Sequence, residues 1–338
     1  MSKSVSIFAV GMVAGILLST IGFAFVARQL RESQTGSRVT VLKLAHTLPE
    51  DHPVHLAMLR MGELLSEKSG GTVELQLFPN EQLGSETDCI EQVQRGALAM
   101  TKTSSAPLES FVPELAVFSV PYLFRDREHF WKVLDGELGL QLLDAGASQG
   151  MTGLCYYDSG SRNFYTRAAQ VKTPDDLKNL KIRVTSSAMS MDMITALGGS
   201  PTAIAFGELY TALQTRVVDG AENNEPTFYT SRHYEVCPYF TYDEHSRVPD
   251  ILLISTDVWN SLSPTVQAWL REAAEESSMY QRELWQQKTE EALDAVKDKG
   301  VTVYIPDKSL FAEKVQSIHD RLKGTKVGDL LERIKATK

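Results

Sequence analysis

The stretch SPTVQAWLREAAEESSMYQRELWQQKTEEALDAVKDKG runs from Ser263 to Gly300. After Pro264 it contains no further proline, no glycine before Gly300, and an excess of Ala, Glu, Gln, Lys and Leu. Ser263 suits an N-cap, Pro264 the first turn, and Gly300 the C-terminal cap. The pattern predicts a helix of roughly 35 residues, ~50 Å long at 1.5 Å per residue. A single domain of this size needs nothing so long. The apolar positions do not keep a strict heptad, which argues against a coiled-coil arm, and the run begins and ends among α/β segments. A helix lying across two domains fits both facts.

Upstream, short apolar runs alternate with helical patterns. Val39–Ala45 reads as a strand, His52-Pro53 opens a helix that stops at Gly70-Gly71, and Thr72–Phe78 alternates as a strand. Ser85-Glu86-Thr87-Asp88 is a capping-box pattern before the next helix, which ends near Gly96. Met151–Tyr157 is a strand broken by Asp158-Ser159-Gly160. Thr173-Pro174-Asp175-Asp176 opens a short helix, Lys181–Val184 is a strand and Ser187–Leu197 a helix. A turn at Gly198–Pro201 leads to a strand at Ala203–Phe206 and a helix at Glu208–Gln214. Ile251–Ser255 is a buried strand that rejoins the first sheet if the chain crosses twice. This rhythm predicts an α/β protein with mostly parallel sheet flanked by helices.

Size and charge agree. A chain of 338 residues at ~100–200 residues per domain suggests two domains. The hydrophobic fraction of 43% supports two cores. The formal net charge of −9 excludes nucleic acid as a partner, since that needs a clustered basic surface. It does not exclude an anionic small ligand, because one buried arginine can define a site. From Val5 to Ala27 the chain is apolar and uncharged, flanked by Lys3 and by Arg28 and Arg31. That segment is either a secretory signal or an uncleaved membrane anchor, and it places the body from about Arg38 outside the cytoplasm. Cys89, Cys155 and Cys237 are too few for a disulfide framework, although one pair could bridge, and they read as small buried apolar residues.

Several segments resemble, in order, the substrate-binding proteins of tripartite ATP-independent periplasmic (TRAP) transporters of the DctP type. They are Leu77-Phe78-Pro79 with Leu83-Gly84, Val120–Phe124 (VPYLF), Thr173–Val184 (TPDDLKNLKIRV), Leu197–Pro201 (LGGSP) and Glu208–Asn223 (ELYTALQTRVVDGAEN). The resemblance covers the chain from about Val39 to the C-terminus. It implies a two-domain periplasmic solute-binding fold with the ligand cleft between the domains and a long helix spanning both. Residues 38–160 with 249–285 would form the first domain, and 161–248 with 286–338 the second.

The resemblance also assigns residues. Arg183, inside the K-I-R-V strand, would pair with a ligand carboxylate, and a planar, permanently charged guanidinium suits that task. Taken alone it could be a surface arginine at a strand end. Arg162, after Ser159-Gly160-Ser161, matches a second arginine facing the ligand. Asn223 matches an asparagine whose amide can both donate and accept. Asn224 stands where the family more commonly has proline. Phe206 matches an aromatic that covers the ligand, though a lone phenylalanine is by default a core residue. His46 falls where the family places a polar contact, and Glu86 and Thr103 fall on first-domain loops facing the cleft. A carboxylate beside a bound acid repels it unless it meets hydroxyls, so Glu86 suggests a polyhydroxylated ligand. Asp243–Ser255 (DEHSRVPDILLIS) and Asn223-Asn224 resemble the branch associated with uronic and other sugar acids. The competing ligand is a C4-dicarboxylate or other small carboxylate. The implied partners are the membrane subunits of a TRAP transporter.

Other classes fare worse. No G-x-S-x-G, H-E-x-x-H, P-loop or paired-cysteine metal spacing occurs, so a non-catalytic receptor without cofactor is expected. His46, Asp51, His52 and His55 lie close in sequence and suit zinc chemically. Asp51 and His52 are also ordinary helix-start residues, and His52 and His55 are expected to be solvated. A signalling ectodomain would need an output domain that does not follow.

Overall fold

The computed structural model describes residues 39–338; the apolar run Val5–Ala27 lies outside them. Among the described residues, no helix is long and apolar enough to cross a membrane. The strands are β1 (Thr40–Ala45), β2 (Val73–Phe78), β3 (Met100–Ser104), β4 (Met151–Tyr157), β5 (Arg162–Thr166), β6 (Lys181–Val184), β7 (Ser200–Ala203), β8 (Gly220–Asn223), β9 (Tyr239–Ser246), β10 (Asp250–Ser255) and β11 (Thr302–Tyr304). They form two sheets, ordered β2-β1-β3-β10-β4 and β11-β9-β5-β8-β6-β7.

Local chemistry explains the elements around the cleft. The helix Pro53–Ser69 starts where the His52 Nδ1 accepts a hydrogen bond from the Val54 N–H, and it ends at Gly70, whose φ of 60° needs no Cβ. The expected capping box is present: Ser85 accepts from the Asp88 N–H, and Asp88 accepts from the Ser85 N–H.

The chain passes between the sheets three times, from β4 to β5 through Asp158–Ser161, from β9 to β10 through the short crossover Arg247–Pro249, and from β10 to β11 along the long helix. Because it returns after a full excursion, β10 runs antiparallel to both β3 and β4. The β5 pairings with β8 and β9 are antiparallel as well, while β1–β3, β6–β7, β6–β8 and β9–β11 are parallel. The sheets are therefore mixed rather than mostly parallel: each of the first two crossovers inserts a strand against the prevailing direction. A second departure is local. The strand expected at Ala203–Phe206 lies at Ser200–Ala203, and Phe206 sits in the single 3₁₀ turn Phe206–Glu208. Gly199-Ser200 can extend, and β7 pairs in register with β6 from Ser200.

The helix Pro264–Asp298 has 35 residues, with Ser263 accepting from the Val266 N–H. Its Leu270, Ala273 and Ala274 are buried with Leu44, Met58 and Leu252 of the first sheet's side, while Val296 is buried with Tyr165, Ala221 and Phe240 of the second. Midway, Gln281 is fully buried; its Nε2 donates to the Asp158 carbonyl (2.8 Å), and its Oε1 accepts from the Asp158 N–H (2.7 Å). Gly160, at φ 61°, brings its backbone against Trp285, whose Nε1 would stand 3.0 Å from a Cβ there. The long helix thus grips the first crossover at two points. All three cysteines are buried and unpaired.

Candidate functional site

Two adjoining cavities open where the ends of both sheets meet. The first has about 450 Å³ of empty space, part of it open solvent, and is lined by Arg162, Asn223, Asn224, Phe206, Glu86 and Lys102, among others. The second, about 310 Å³, is lined by Arg183, Thr185, Glu86 and Phe206. Glu86, Thr185 and Phe206 border both.

Arg183 lies on β6 and is 2% exposed. Its Nε donates to the Ile204 carbonyl (2.8 Å), but Nη1 is buried with no hydrogen-bond partner among the described residues. Its guanidinium carbon stands 6.0 Å from the centre of the Phe206 ring. Burial pulls its pKa below the ordinary arginine value. A buried polar group without a partner is costly, and this nitrogen can still donate to an acceptor.

Arg162, on β5, differs. Its Nη2 donates to Glu222 Oε1 (2.9 Å) and to the Glu222 carbonyl (2.9 Å), its Nε pairs with Glu222 Oε2, and its Nη1 donates to Asn223 Oδ1 (3.2 Å). Glu222 in turn lies 3.4 Å from His245 Nε2, and His245 Nδ1 lies 2.9 Å from Asp243 Oδ2. Burial raises the Glu222 carboxyl, but the Arg162 charge and the His245 contact overcome it and hold the pKa at about 2. Burial likewise lowers the His245 imidazole, yet Asp243 and Glu222 raise it to about 9. Asp243, His245, Glu222 and Arg162 form a neutral, fully buried charge chain that locks the second arginine.

Asn223 Oδ1 accepts from both Arg162 and the Asn224 N–H (2.9 Å), and Asn223 lines the first cavity. Asn224 lines the cavity but spends its side chain on structure: Oδ1 caps the helix Glu225–Thr230 through the Thr227 N–H (2.9 Å), and Nδ2 donates to the Ser159 carbonyl (3.0 Å).

On the first-sheet side, Glu86 is the first residue of its helix. Its Oε1 accepts from the Ser104 N–H (2.9 Å) and stands 3.7 Å from Lys102 Nζ. Lys102, whose side chain is 2% exposed, also pairs with Asp250 (3.1 Å). Burial raises the Asp250 carboxyl against the pull of Lys102. Thr103 does not line either cavity. It is in β3 rather than a loop, and its neighbours Lys102 and Ser104, two apart on the strand, take the cavity face. His46 also stays behind the wall: its Nε2 contacts His55 Nδ1 (2.9 Å) and its Nδ1 accepts from the Leu48 N–H (3.2 Å).

His52 and His55 are not solvated but buried, with 1% and 5% exposure. The first helix packs them inward, and His52 reaches Thr227 Oγ1 at 3.2 Å. Burial first, then Lys102, lowers His46 to about 2; the same causes keep His52 well below its ordinary value. The described residues hold no group of three or more His, Cys, Asp or Glu arranged for a metal.

Two carboxylates bond across from the first sheet's side to the second's. Glu81, in the loop after β2, accepts from the Gly207 N–H (2.8 Å). Glu109 accepts from Ser187 Oγ (2.9 Å) and from the Ala188 N–H at the start of the helix Ala188–Ala196. Sequence reasoning missed Lys102, Asp250, His52, Glu222 and His245 as parts of the site. Lys102 stands between two threonines in Met100–Ser104, so nothing in the local sequence announces its burial.

The sequence profile of the bacterial extracellular solute-binding proteins, family 7, matches residues 44–325. A solved TRAP periplasmic solute-binding protein of Bradyrhizobium, in complex with α/β-D-galacturonate, is 42% identical with a TM-score of 0.85, over 88% of this chain and 99% of that one. Another, from Pseudomonas putida with bound D-glucuronate, is 36% identical with a TM-score of 0.85, over 88% and 97%. A C4-dicarboxylate-binding periplasmic protein of Rhodobacter capsulatus is 32% identical, over 83% of this chain and 86% of its own length.

Proposed function

The chain belongs to the bacterial extracellular solute-binding proteins of family 7, and from that membership we propose that it is the receptor of a TRAP transporter for a sugar acid of the uronate or aldonate class. The observation that carries the ligand class is the polarity of the cavity. At one end stands Arg183, a buried cation with an unpartnered nitrogen. At the other stands Asp250 on Lys102, with Glu86 between the two ends and bordering both cavities. A ligand with one carboxylate and several hydroxyls satisfies both ends: its carboxylate accepts from Arg183, and its hydroxyls donate to Glu86 and Asp250. A C4-dicarboxylate would press its second carboxylate against that acidic end. The uronates bound by related receptors support the same choice.

Residues 38–160 with 249–285 act as one domain and 161–248 with 286–338 as the other, closing over the ligand. Arg183 binds the carboxylate from the second domain. Arg162, held by Glu222, presents Nη1 and Asn223 beside it, and Phe206 covers the ligand. Contacts that exist only when both domains meet bias the receptor toward the closed state. The closed form delivers its ligand to membrane subunits on the extracytoplasmic face. Residues 5–27 export the chain and either remain as a tether or are removed.

A thermal-shift screen of the full chain against D-glucuronate, D-galacturonate, D-gluconate and succinate tests this reading. Ligand at a hundredfold excess over Kd stabilises by about 2.7 kcal/mol. A shift with the sugar acids that disappears in Arg183→Ala is expected. A shift with succinate alone overturns the sugar-acid assignment, and no shift with any acid overturns the receptor.

A further inference from the structure

Glu225 is 2% exposed, and its Oε1 has no hydrogen-bond partner among the described residues. It does not face the ligand cavity. It lines a separate cavity behind the crossovers, about 950 Å³ with part of it open solvent, together with Gly160, Ser161, Tyr242, Arg247 and Trp285. The two crossovers divide the space: Ser159, Val248 and Asp250 face the ligand cavity, while Gly160, Ser161 and Arg247 face this one. Trp285 joins them, because its ring centre is 5.7 Å from that of His52, which lines the ligand cavity.

Charge decides what could enter. Arg127 is paired with Asp158 (3.0 Å), Arg247 with Glu244 (3.1 Å), and Lys308 also with Glu244. The cations at this cavity are thus already partnered, whereas the buried carboxylate oxygen is not. Its missing partner is a donor. An ammonium group offers donors only, which matches a group that accepts only. The indole of Trp285 adds a π-face that attracts a cation.

We propose that this cavity is a second binding site, taking a small organic ammonium ion that donates to Glu225 and packs its carbon skeleton on Trp285. Because its walls include both crossovers and the long helix, occupancy is coupled to cleft closure, and the coupling is reciprocal. Burial pushes the Glu225 carboxyl up to about 7. The groups facing it are Tyr242 and Glu244 from β9, Arg247 from the crossover, Arg127 from the helix Arg127–Leu134, and Glu290 from the long helix. Glu244 adds to the rise and Arg247 opposes it. Ammonium binding needs the ionised carboxylate, so it strengthens as pH rises through this value.

The test is a titration of the full chain, ¹⁵N-labelled at its tryptophan indoles, with ethanolamine and, as the neutral match, ethylene glycol. Trp285→Phe identifies the reporting resonance. The expected result, with no sugar acid present, is a saturable shift of the Trp285 signal with ethanolamine and none with ethylene glycol. Binding should be roughly tenfold tighter at pH 8 than at pH 6, the ratio of ionised fractions for a carboxyl near 7. Glu225→Gln should abolish the shift. A missing shift, an equal response to ethylene glycol, a flat pH profile, or an unchanged response in Glu225→Gln each overturns the proposal. If Glu225→Gln does not fold, the pH ratio and the neutral match on the unsubstituted chain decide. Failure of the sugar-acid reading would leave this result standing.

Discussion

Two buried arginines stand on β5 and β6, strands of one sheet separated by β8, and face the same cleft, yet they are in opposite electrostatic states. Arg162 has a carboxylate of its own, Glu222, and behind it the His245–Asp243 pair. Arg183 has one carbonyl contact and a bare nitrogen. The difference separates structure from recognition. A buried cation with a built-in anion contributes rigidity, and taking away the anion leaves an uncompensated charge. A buried cation without one stores an unmet demand that a ligand can satisfy.

Removing Glu222 should give the largest effect. Glu222→Ala leaves Arg162 buried and unpaired and should destabilise the ligand-free protein by about 3–5 kcal/mol, read from denaturant unfolding. Next is Arg183→Ala, which should weaken sugar-acid binding by about 2–5 kcal/mol in calorimetry while leaving ligand-free stability unchanged or slightly raised. If both substitutions destabilise the empty protein equally, the contrast between the arginines is broken.

The pH profile of stability sharpens it. His245 has its folded pKa raised from 6.5 to about 9, so its contribution is full below pH 6.5 and is lost as pH rises to 9. His46, His52 and His233 have lowered folded pKa values and are held neutral, so their contribution is lost as pH falls below 6.5. His55 and His319 join those three, and the raised carboxyls of Glu81, Glu109, Glu225 and Asp250 run against them, four groups against five. Stability should therefore peak near the ordinary histidine pKa. Each titrating group contributes a slope of about 1.4 kcal/mol per pH unit. Asp243→Asn should flatten the alkaline limb in a pH series of thermal melts, and an unaltered limb would show that His245 is not charged by its partners.

The smallest effect is expected on the first-sheet side. Glu86→Gln should weaken uronate binding by about 1 kcal/mol through loss of a charged acceptor and improve binding of succinate. An unchanged ratio of the two affinities would remove Glu86 from ligand discrimination.

Much of this was legible in the sequence because it is written locally. The uninterrupted run after Pro264, the capping box at Ser85 and the K-I-R-V strand each announce themselves within a few residues, since helix caps and strand alternation are short-range physics. Arg183 and Arg162 were recognisable from the motifs around them. Their unlike states were not, because Glu222, His245 and Asp243 reach Arg162 only through the pairing of β5 with β8 and β9. The same holds for Lys102, which needs Asp250 from 148 positions away, and for His52 and His55, polar residues at a helix start that folding turns inward.

The sequence by itself determined the α/β class and the long spanning helix and singled out the two arginines as candidates, because these depend on local periodicity and on motifs. Tertiary structure alone decided which arginine keeps a nitrogen without a partner and which carboxylates line the same cavities. Those outcomes depend on which charges are brought together and removed from water, and strand pairing between distant segments sets that.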